Sequence, residues 1–263
     1  MFDSVHLPLL LMALIQGATE FLPVSSSGHL ALVQLVPGLH AGGIFEDVML
    51  HLGTLGAVIV YYRRDLKNLV VGVFARGDAG EWARRYVGLL LLGSVPAGVI
   101  GVLFDKKVEG AFGHVGFVLV ALAVTGLMLK LSDRIPRREF ELNPRIAFLV
   151  GCAQALAILP GFSRSGWTIV AGLALGLQPK ECARFSFLLS VPAILGATVL
   201  QLHELPGGHS PWSALIPAVI LAFVVGLLCL RWLVRLVQHL SLGNFAYYLW
   251  ALCLGVALVL VLV

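Results

Sequence analysis

Apolar stretches of membrane-spanning length fill nearly the whole chain, and they restrict it to folds in which each segment pairs its own backbone polar groups. Only 12% of the residues are charged and the mean hydropathy is +0.95, whereas a soluble domain carries about 25% charged residues. We therefore predict an all-α polytopic membrane protein without a separate soluble domain. A span needs about 20 residues, with about 17 as the lower limit. Six stretches reach or nearly reach that length: Ile44–Tyr62, Tyr86–Phe104, Val115–Leu131, Phe185–Leu202, Ser213–Leu236 and Phe245–Val263.

Two further regions, Leu7–Val36 and Ile146–Leu177, are apolar but broken by polar segments. The arms that follow the breaks, His29–Val36 and Thr168–Leu177, would reach only about 12 Å and about 15 Å as helices. We interpret each region as a re-entrant helix–loop–helix hairpin, whose irregular backbone must be buried in protein or line a wet cavity. The alternative is that each region is one long kinked helix or two separate spans.

The two breaks resemble one another in sequence. At an offset of 138 residues, Gln16, Ser25, Ser27 and Gly28 fall on Gln154, Ser163, Ser165 and Gly166. Each half of the chain, 1–138 and 139–263, then holds one hairpin and three spans, and an odd number of spans inverts the second half. The sequence therefore predicts a single membrane domain built as an inverted-topology repeat, with a binding site near the middle of the bilayer.

The basic residues predict the topology. Fifteen of the 18 Lys and Arg residues fall in four clusters, within residues 63–85, 130–145, 180–184 and 231–235, whereas Lys106 and Lys107 lie between the second and third spans and Arg164 lies in the second break. With six spans and two hairpins, all four clusters lie on one side of the membrane, which must be the cytoplasmic side. Both termini are then expected on the outer side. Basic loops on one side of the membrane therefore explain the net charge of +4, and we expect no nucleic-acid partner.

The polar breaks carry groups that suit an anion. Serines before an apolar helix are typical N-cap residues, so each second arm would direct its free N–H groups and positive dipole end into the membrane. Two such ends facing one another form an anion site that suits phosphate. Arg164 adds a guanidinium group whose paired donors match phosphate oxygens.

Glu20 would repel a bound phosphate unless a cation or a proton intervenes. Gln16 lies four residues before Glu20, on the same helix face, and carboxylate, amide and phosphate oxygens are ligands that Mg²⁺ and Ca²⁺ prefer. The serine run and His29 supply a nucleophile and its base, or an acid for the leaving group. Taken singly, His29 is also typical of a packing residue and the serines of helix caps, and we interpret His51 as a packing or helix-end group. Together at two paired tips, these groups favour phosphoryl transfer.

Two motifs in the breaks closely resemble the undecaprenyl-pyrophosphate phosphatase family of bacteria, the group linked to bacitracin resistance. The first is Gln16-x-x-x-Glu20 followed by the run Ser25–His29, and the second is the stretch Pro160–Thr168. The resemblance covers essentially the full length, although this chain has Gln16 where many members have Glu. It implies hydrolysis of the C55 isoprenyl diphosphate to the monophosphate and phosphate, which recycles the lipid carrier for peptidoglycan synthesis.

The resemblance also implies site residues and a cellular setting. The catalytic core carried over by position is Glu20, Ser26, His29 and Arg164. The phosphate pocket is lined by Ser25, Ser27, Gly28, Ser163, Ser165 and Thr168, and a divalent cation, Mg²⁺ or Ca²⁺, is bound by Glu20 and Gln16. The implied setting is the bacterial plasma (inner) membrane, with the polyprenyl diphosphate reaching the site from the outer face. A homo-oligomer is left open.

Alternatives remain within this interpretation. Ser26 can attack the terminal phosphorus, or water can attack it directly. Inverted repeats with broken helices are also the architecture of transporters, so a lipid-phosphate flippase using the same anion site is the alternative function. A membrane scaffold is a third alternative, which Glu20 and Arg164 disfavour because charges inside a membrane are costly without a function.

Overall fold

The computed structural model describes residues 6–34, 43–104, 110–201, 210–239 and 241–262, and in these residues the chain is helical apart from turns and one bridge between Phe140 and Leu177. The all-α prediction is thereby confirmed. In chain order the main helices are α1 His6–Thr19, α2 Ser26–Val33, α3 Ile44–Tyr61, α4 Arg63–Val73, α5 Asp78–Leu103, α6 Val115–Ser132, α7 Pro144–Leu156, α8 Arg164–Ala174, α9 Pro179–Gln201, α10 Trp212–His239 and α11 Asn244–Leu262.

Among the described residues, six helices are long and apolar enough to cross a membrane, as predicted: α3, α5, α6, α9, α10 and α11. Most predicted ends agree with the structure to within a few residues. However, α5 and α9 begin well before the predicted starts at Tyr86 and Phe185. Hydropathy detects only the apolar part of a helix. The polar first turns of α5 and α9 extend each helix towards its N-terminus, where the helix dipole favours acidic residues. The predicted ends at Leu202 and Val263 lie outside the described residues.

Each broken region forms two short helices joined by a non-helical turn, so the alternative of one long kinked helix is wrong. α1 has 14 residues and α7 has 13, which gives a length of about 20 Å against the roughly 30 Å of a bilayer core. The second helices begin earlier than the predicted arms, at Ser26 and Arg164, because the serine caps place the first turn directly after the break. Residues 35 and 36 of the first arm lie outside the described residues. Re-entry of each pair from one side, and the inverted repeat, stay predictions.

The packing brings the two broken regions into the interior of the bundle. α1 and α3 pack on α10, α7 packs on α5, and α6 packs on α11. α5 and α7 cross so closely that a Cβ on Gly151 would run into the backbone of Gly93, and such small residues let helices in lipid approach one another. Under the predicted duplication α1 corresponds to α7 and α10 to α5, and the packing of α1 on α10 then corresponds to that of α7 on α5.

The basic segment after the first span is helical, which the sequence analysis did not predict. Arg84 donates from Nη1 to the carbonyl oxygens of Val73 (3.2 Å) and Ala75 (3.0 Å) and so caps the end of α4. Asp65 on α4 pairs with Arg184 on α9 at 2.7 Å. The amphipathic helix α4 was not predicted because its polar face interrupts the apolar run, and the sequence analysis searched for long apolar stretches.

Candidate functional site

The first break is a tight turn that leads into a capped helix. Residues 20–24 leave the helical path after α1, and Ser25 Oγ then accepts a hydrogen bond from the Gly28 N–H at 3.2 Å, as the N-cap of α2. Ser25 has φ 69°, a left-handed conformation that costs free energy for a residue with a Cβ. Strained backbone of this kind concentrates at functional sites.

The second break repeats this cap. Ser163 Oγ accepts from the Gly166 N–H at 3.2 Å, as the N-cap of α8. In each cap a second serine hydroxyl lies beside the first, with Oγ–Oγ distances of 3.3 Å for Ser25 and Ser27 and 3.2 Å for Ser163 and Ser165. The predicted N-cap role of the serines is confirmed in both breaks.

The two tips are in contact with one another. Ser165 Oγ donates to the Leu22 carbonyl oxygen at 3.1 Å, and a Cβ on Gly28 would lie 3.1 Å from Gly161 Cα. Thr125 of α6 donates to the Gly161 carbonyl oxygen at 2.9 Å and fixes the second tip from the other side. The N-termini of α2 and α8 are therefore held next to each other, although about 140 residues separate them in the chain.

A largely buried ion pair joins the two tips. Arg164 Nη2 donates to Glu20 Oε1 at 2.6 Å. The other carboxylate oxygen, Glu20 Oε2, accepts from Ser26 Oγ at 2.7 Å and from Gln16 Nε2 at 3.1 Å. In the described structure, Arg164 Nη1 and Gln16 Oε1 are buried without a hydrogen-bond partner. Buried polar groups are rarely left unpaired, so this arrangement is suited to a ligand that supplies the missing partners.

A cavity of about 310 Å³ opens at the ion pair. Its polar lining includes six predicted site residues: Glu20, Ser25, Ser26, Ser27, Ser163 and Arg164. Apolar side chains that include Phe162 and Ile194 form the rest of the wall. A cavity lined by both charged and apolar side chains is suited to an amphipathic ligand.

His29 is not brought together with these residues. Its Nδ1 lies 2.8 Å from the Ser25 carbonyl oxygen and its Nε2 lies 2.7 Å from the Tyr248 hydroxyl on α11. Because a carbonyl oxygen only accepts, Nδ1 donates and Nε2 accepts from Tyr248. The two rings also stack in parallel, with centroids 5.7 Å apart. Both nitrogens of His29 are thus engaged in the packing of α2 against α11.

Three further predicted residues support the tips without lining the cavity. Gly28 provides the close contact between the breaks, and Ser165 provides the hydrogen bond across them. Thr168 donates to the Arg164 carbonyl oxygen at 2.7 Å and contacts the Ser186 hydroxyl of α9. These side chains hold the first turn of α8, and with it Arg164, in place.

His51 lies at the cavity, where the sequence analysis expected only a packing or helix-end group. Its Nε2 is 3.8 Å from Glu20 Oε2, and its Nδ1 is 2.7 Å from the Asp47 carbonyl oxygen. An ionisable side chain in the middle of an apolar span is a functional signal by itself. That signal was present in the sequence, but nothing in it connected His51 on α3 with Glu20.

Oxygen donors for a divalent cation lie beside the cavity. Glu20 offers a carboxylate, Gln16 an unpartnered amide oxygen and Ser26 a hydroxyl group. The described part of the chain holds no cluster of three or more His, Cys, Asp or Glu side chains placed to hold a metal ion. Because Mg²⁺ commonly keeps one or two protein carboxylates and takes its other ligands from water and substrate phosphates, this donor set fits a cation shared with a phosphate ligand.

The fold and the site define a class of protein: a multi-pass helical membrane protein in which two capped helix N-termini meet at a buried, charged cavity. The chain belongs to the family described as bacitracin resistance protein BacA, whose model matches residues 9–256. The resemblance that the two motifs predicted is thereby confirmed.

Relatives across most of the length support this assignment. The chain is 44% identical over 265 residues to the undecaprenyl-diphosphatase of Rubrobacter xylanophilus, with 96% of this chain and 97% of the relative covered. It is 41% identical over 246 residues to the protein of that name from Syntrophotalea carbinolica, with 92% and 94% covered. A third protein of that name, from Alcanivorax borkumensis, is 42% identical over 259 residues, with 95% and 96% covered.

Proposed function

We propose that this protein hydrolyses undecaprenyl diphosphate to undecaprenyl phosphate and inorganic phosphate, and so recycles the lipid carrier of cell-wall synthesis. The observation that carries the proposal is Arg164, whose Nη1 is buried and unpartnered at a cavity formed by two helix N-termini. The names of relatives at 41–44% identity identify the substrate class.

The headgroup binds against the polar part of the cavity lining. Arg164 Nη1 and the free N–H groups at the starts of α2 and α8 are donors for phosphate oxygens. The apolar wall, which includes Phe162 and Ile194, faces the first isoprene units, and the rest of the tail stays in lipid. An amphipathic substrate is thereby oriented with its terminal phosphate towards Ser26.

Ser26 is the nucleophile of the reaction. Its hydroxyl donates to Glu20 Oε2 at 2.7 Å, which turns the Oγ lone pairs away from the carboxylate and gives the proton an acceptor. The bond from Ser26 Oγ to the terminal phosphorus forms while the bond from that phosphorus to the bridging oxygen breaks, releasing undecaprenyl phosphate. Water then hydrolyses the phosphoserine, inorganic phosphate leaves, and the proton on Glu20 returns to Ser26 Oγ.

A divalent cation, Mg²⁺ or Ca²⁺, would be held by Glu20 and Gln16. When bound, it neutralises phosphate charge and polarises the phosphorus. Arg164 supplies a fixed positive charge on the other side of the same carboxylate, so the chain's own residues already place Glu20 and the diphosphate next to each other without net repulsion.

The proposed setting is the bacterial inner membrane, with both termini on the outer side and the site open to the outer face. The four basic clusters support this orientation, because loops rich in Lys and Arg stay in the cytoplasm. Lipid-phosphate transport, the alternative from the sequence, gains no support from the named relatives, all of which are diphosphatases.

Phosphate release by the purified protein tests the proposal. Wild type should release phosphate from undecaprenyl diphosphate, and Arg164→Ala should lower kcat/KM by about a hundredfold or more, because it removes a preorganised charge at the transferred group. Arg164→Lys keeps the charge but loses the paired donors, and it should also be impaired. Arg145→Ala, which changes an exposed arginine, is the matched control. No phosphate from wild type, or full activity in a folded Arg164→Ala protein, would overturn the proposal.

A further inference from the structure

His29 and His51 share one backbone restraint. In each ring Nδ1 lies against the carbonyl oxygen four residues earlier, at 2.8 Å for Ser25 and 2.7 Å for Asp47. A carbonyl oxygen cannot donate, so Nδ1 carries the hydrogen in both rings. In the neutral imidazole, Nε2 is then left with a lone pair that needs a partner.

The two lone pairs meet different partners. For His29 the partner is the Tyr248 hydroxyl at 2.7 Å. His51 Nε2 instead faces the cavity, where Glu20 Oε2 lies 3.8 Å away. A carboxylate oxygen and an imidazole lone pair are both acceptors, and they repel one another unless a positive group lies between them.

A third acceptor lies beside the same carboxylate. Gln16 is fully buried, its Nε2 donates to Glu20 Oε2 at 3.1 Å, and its Oε1 has no partner in the described structure. Two further side chains that carry an acceptor atom, His51 on α3 and Gln16 on α1, therefore lie next to Glu20 Oε2. A buried, unpartnered amide oxygen is an independent sign of a missing positive ligand.

We propose that His51, together with Glu20 and Gln16, is a ligand of the divalent cation. The inference rests on the proposed function in one respect: a phosphate of the substrate completes the coordination of the cation. Carboxylate and amide oxygens suit Mg²⁺ and Mn²⁺, and an imidazole ligand favours a transition metal such as Mn²⁺ over Mg²⁺. The hydrogen bond from Nδ1 to the Asp47 carbonyl is the outer contact that orients a metal-binding histidine.

Binding of Mn²⁺ to the purified full chain, followed by electron paramagnetic resonance without any lipid diphosphate, tests this inference. Wild type should bind Mn²⁺, and its spin echo should carry the modulation of an imidazole nitrogen. His51→Leu should weaken binding by about tenfold or more, as loss of a metal-site partner does. His51→Gln should retain most of the affinity, because its amide oxygen can still bind, and should lose the nitrogen modulation. His114→Leu, at an exposed histidine, is the matched control and should bind as wild type does.

Several results would overturn the inference. They are no Mn²⁺ bound to wild type, bound Mn²⁺ without nitrogen modulation, and unchanged affinity in His51→Leu. The modulation is measured on wild type, so the test stands even if His51→Leu does not fold. Since no substrate is present, His51-dependent binding in a protein that releases no phosphate would support the cation site and contradict the proposed function. Phosphate release by a protein that binds no Mn²⁺ would support the proposed function and contradict the cation site.

Discussion

Glu20 and Arg164 form a largely buried ion pair whose main role is to position other groups of the site. Desolvation of two charges offsets much of their attraction, so a buried pair contributes little net stability. This pair, however, holds two segments together at a 2.6 Å contact, and Glu20 in turn orients the Ser26 hydroxyl. At the scale of single residues, charge and hydroxyl are placed before any substrate arrives, which is the main contribution a protein makes to phosphoryl transfer.

The role of Ser26 as nucleophile predicts a covalent intermediate. In a single turnover with substrate labelled in its terminal phosphate, rapid acid quenching should trap label on Ser26, because phosphoserine esters survive acid while the chain unfolds. Ser26→Ala should carry no label, whereas Ser27→Ala, the control at the neighbouring hydroxyl, should still be labelled. A burst of free phosphate with no labelled protein would instead indicate direct attack by water.

His29 is held in packing, which predicts a structural phenotype for its partner. Tyr248→Phe removes the hydroxyl that donates to His29 Nε2, and loss of such a partly buried hydrogen bond costs about 1 kcal/mol of unfolding free energy. Thermal unfolding should therefore occur at lower temperature while kcat for phosphate release stays close to that of wild type. Tyr247→Phe, at the similarly exposed neighbouring tyrosine, is the control. A large fall in kcat with unchanged stability would place His29 in the chemistry.

At the scale of elements, two short helices beginning at matching serine caps create the site. α2 and α8 direct their N-termini to one place, and the turns before them must bend sharply to allow it. Gly161 has φ 93° in the second turn. A Cβ there would lie 2.6 Å from Ala121 Cβ on α6. Glycine therefore meets both a conformational and a steric requirement of the tip.

Replacement of this glycine should disturb the tip. Gly161→Ala should lower the unfolding free energy by about 2–4 kcal/mol, from left-handed strain together with overpacking, and should impair phosphate release. Gly88→Ala is the matched control, since no atom lies within 4 Å of its added Cβ; in the middle of α5 it should leave stability unchanged or raise it slightly. Thermal unfolding in detergent measures both. Equal stability of the two variants would mean that the second turn adapts freely.

At the scale of the whole molecule, six apolar helices enclose the polar tips. Their outer faces are apolar, as side chains such as Leu91, Val120 and Leu254 are largely exposed and would contact lipid. The interior holds the charges that lipid would reject. The positions of the basic clusters then determine which way the bundle sits in the membrane.

The predicted orientation can be measured with single cysteines, in a background where the four native cysteines are replaced by alanine. Arg76→Cys lies in a basic segment and should react with a membrane-impermeant thiol reagent only after the membrane is permeabilised. His114→Cys, before α6, should react in intact cells, because one span separates the two positions. Labelling of both from the same side would contradict the six-span topology.

The sequence alone determined the all-α class, the six spans, the two polar breaks and the serine caps. These features depend on composition and spacing over one helix, and local physics therefore suffices to predict them. Most cavity-lining polar residues also came from the breaks themselves, where charges and hydroxyls in apolar surroundings are conspicuous.

Only the tertiary structure decided which of these groups meet. Glu20 pairs with Arg164 144 residues away, and His29 faces Tyr248 219 residues away. His51 joins the site because α3 packs against α1 and α10, not because of any local pattern. The direction of a ring or a guanidinium group is determined by neighbours that are distant in the chain, and a single sequence does not reveal those neighbours.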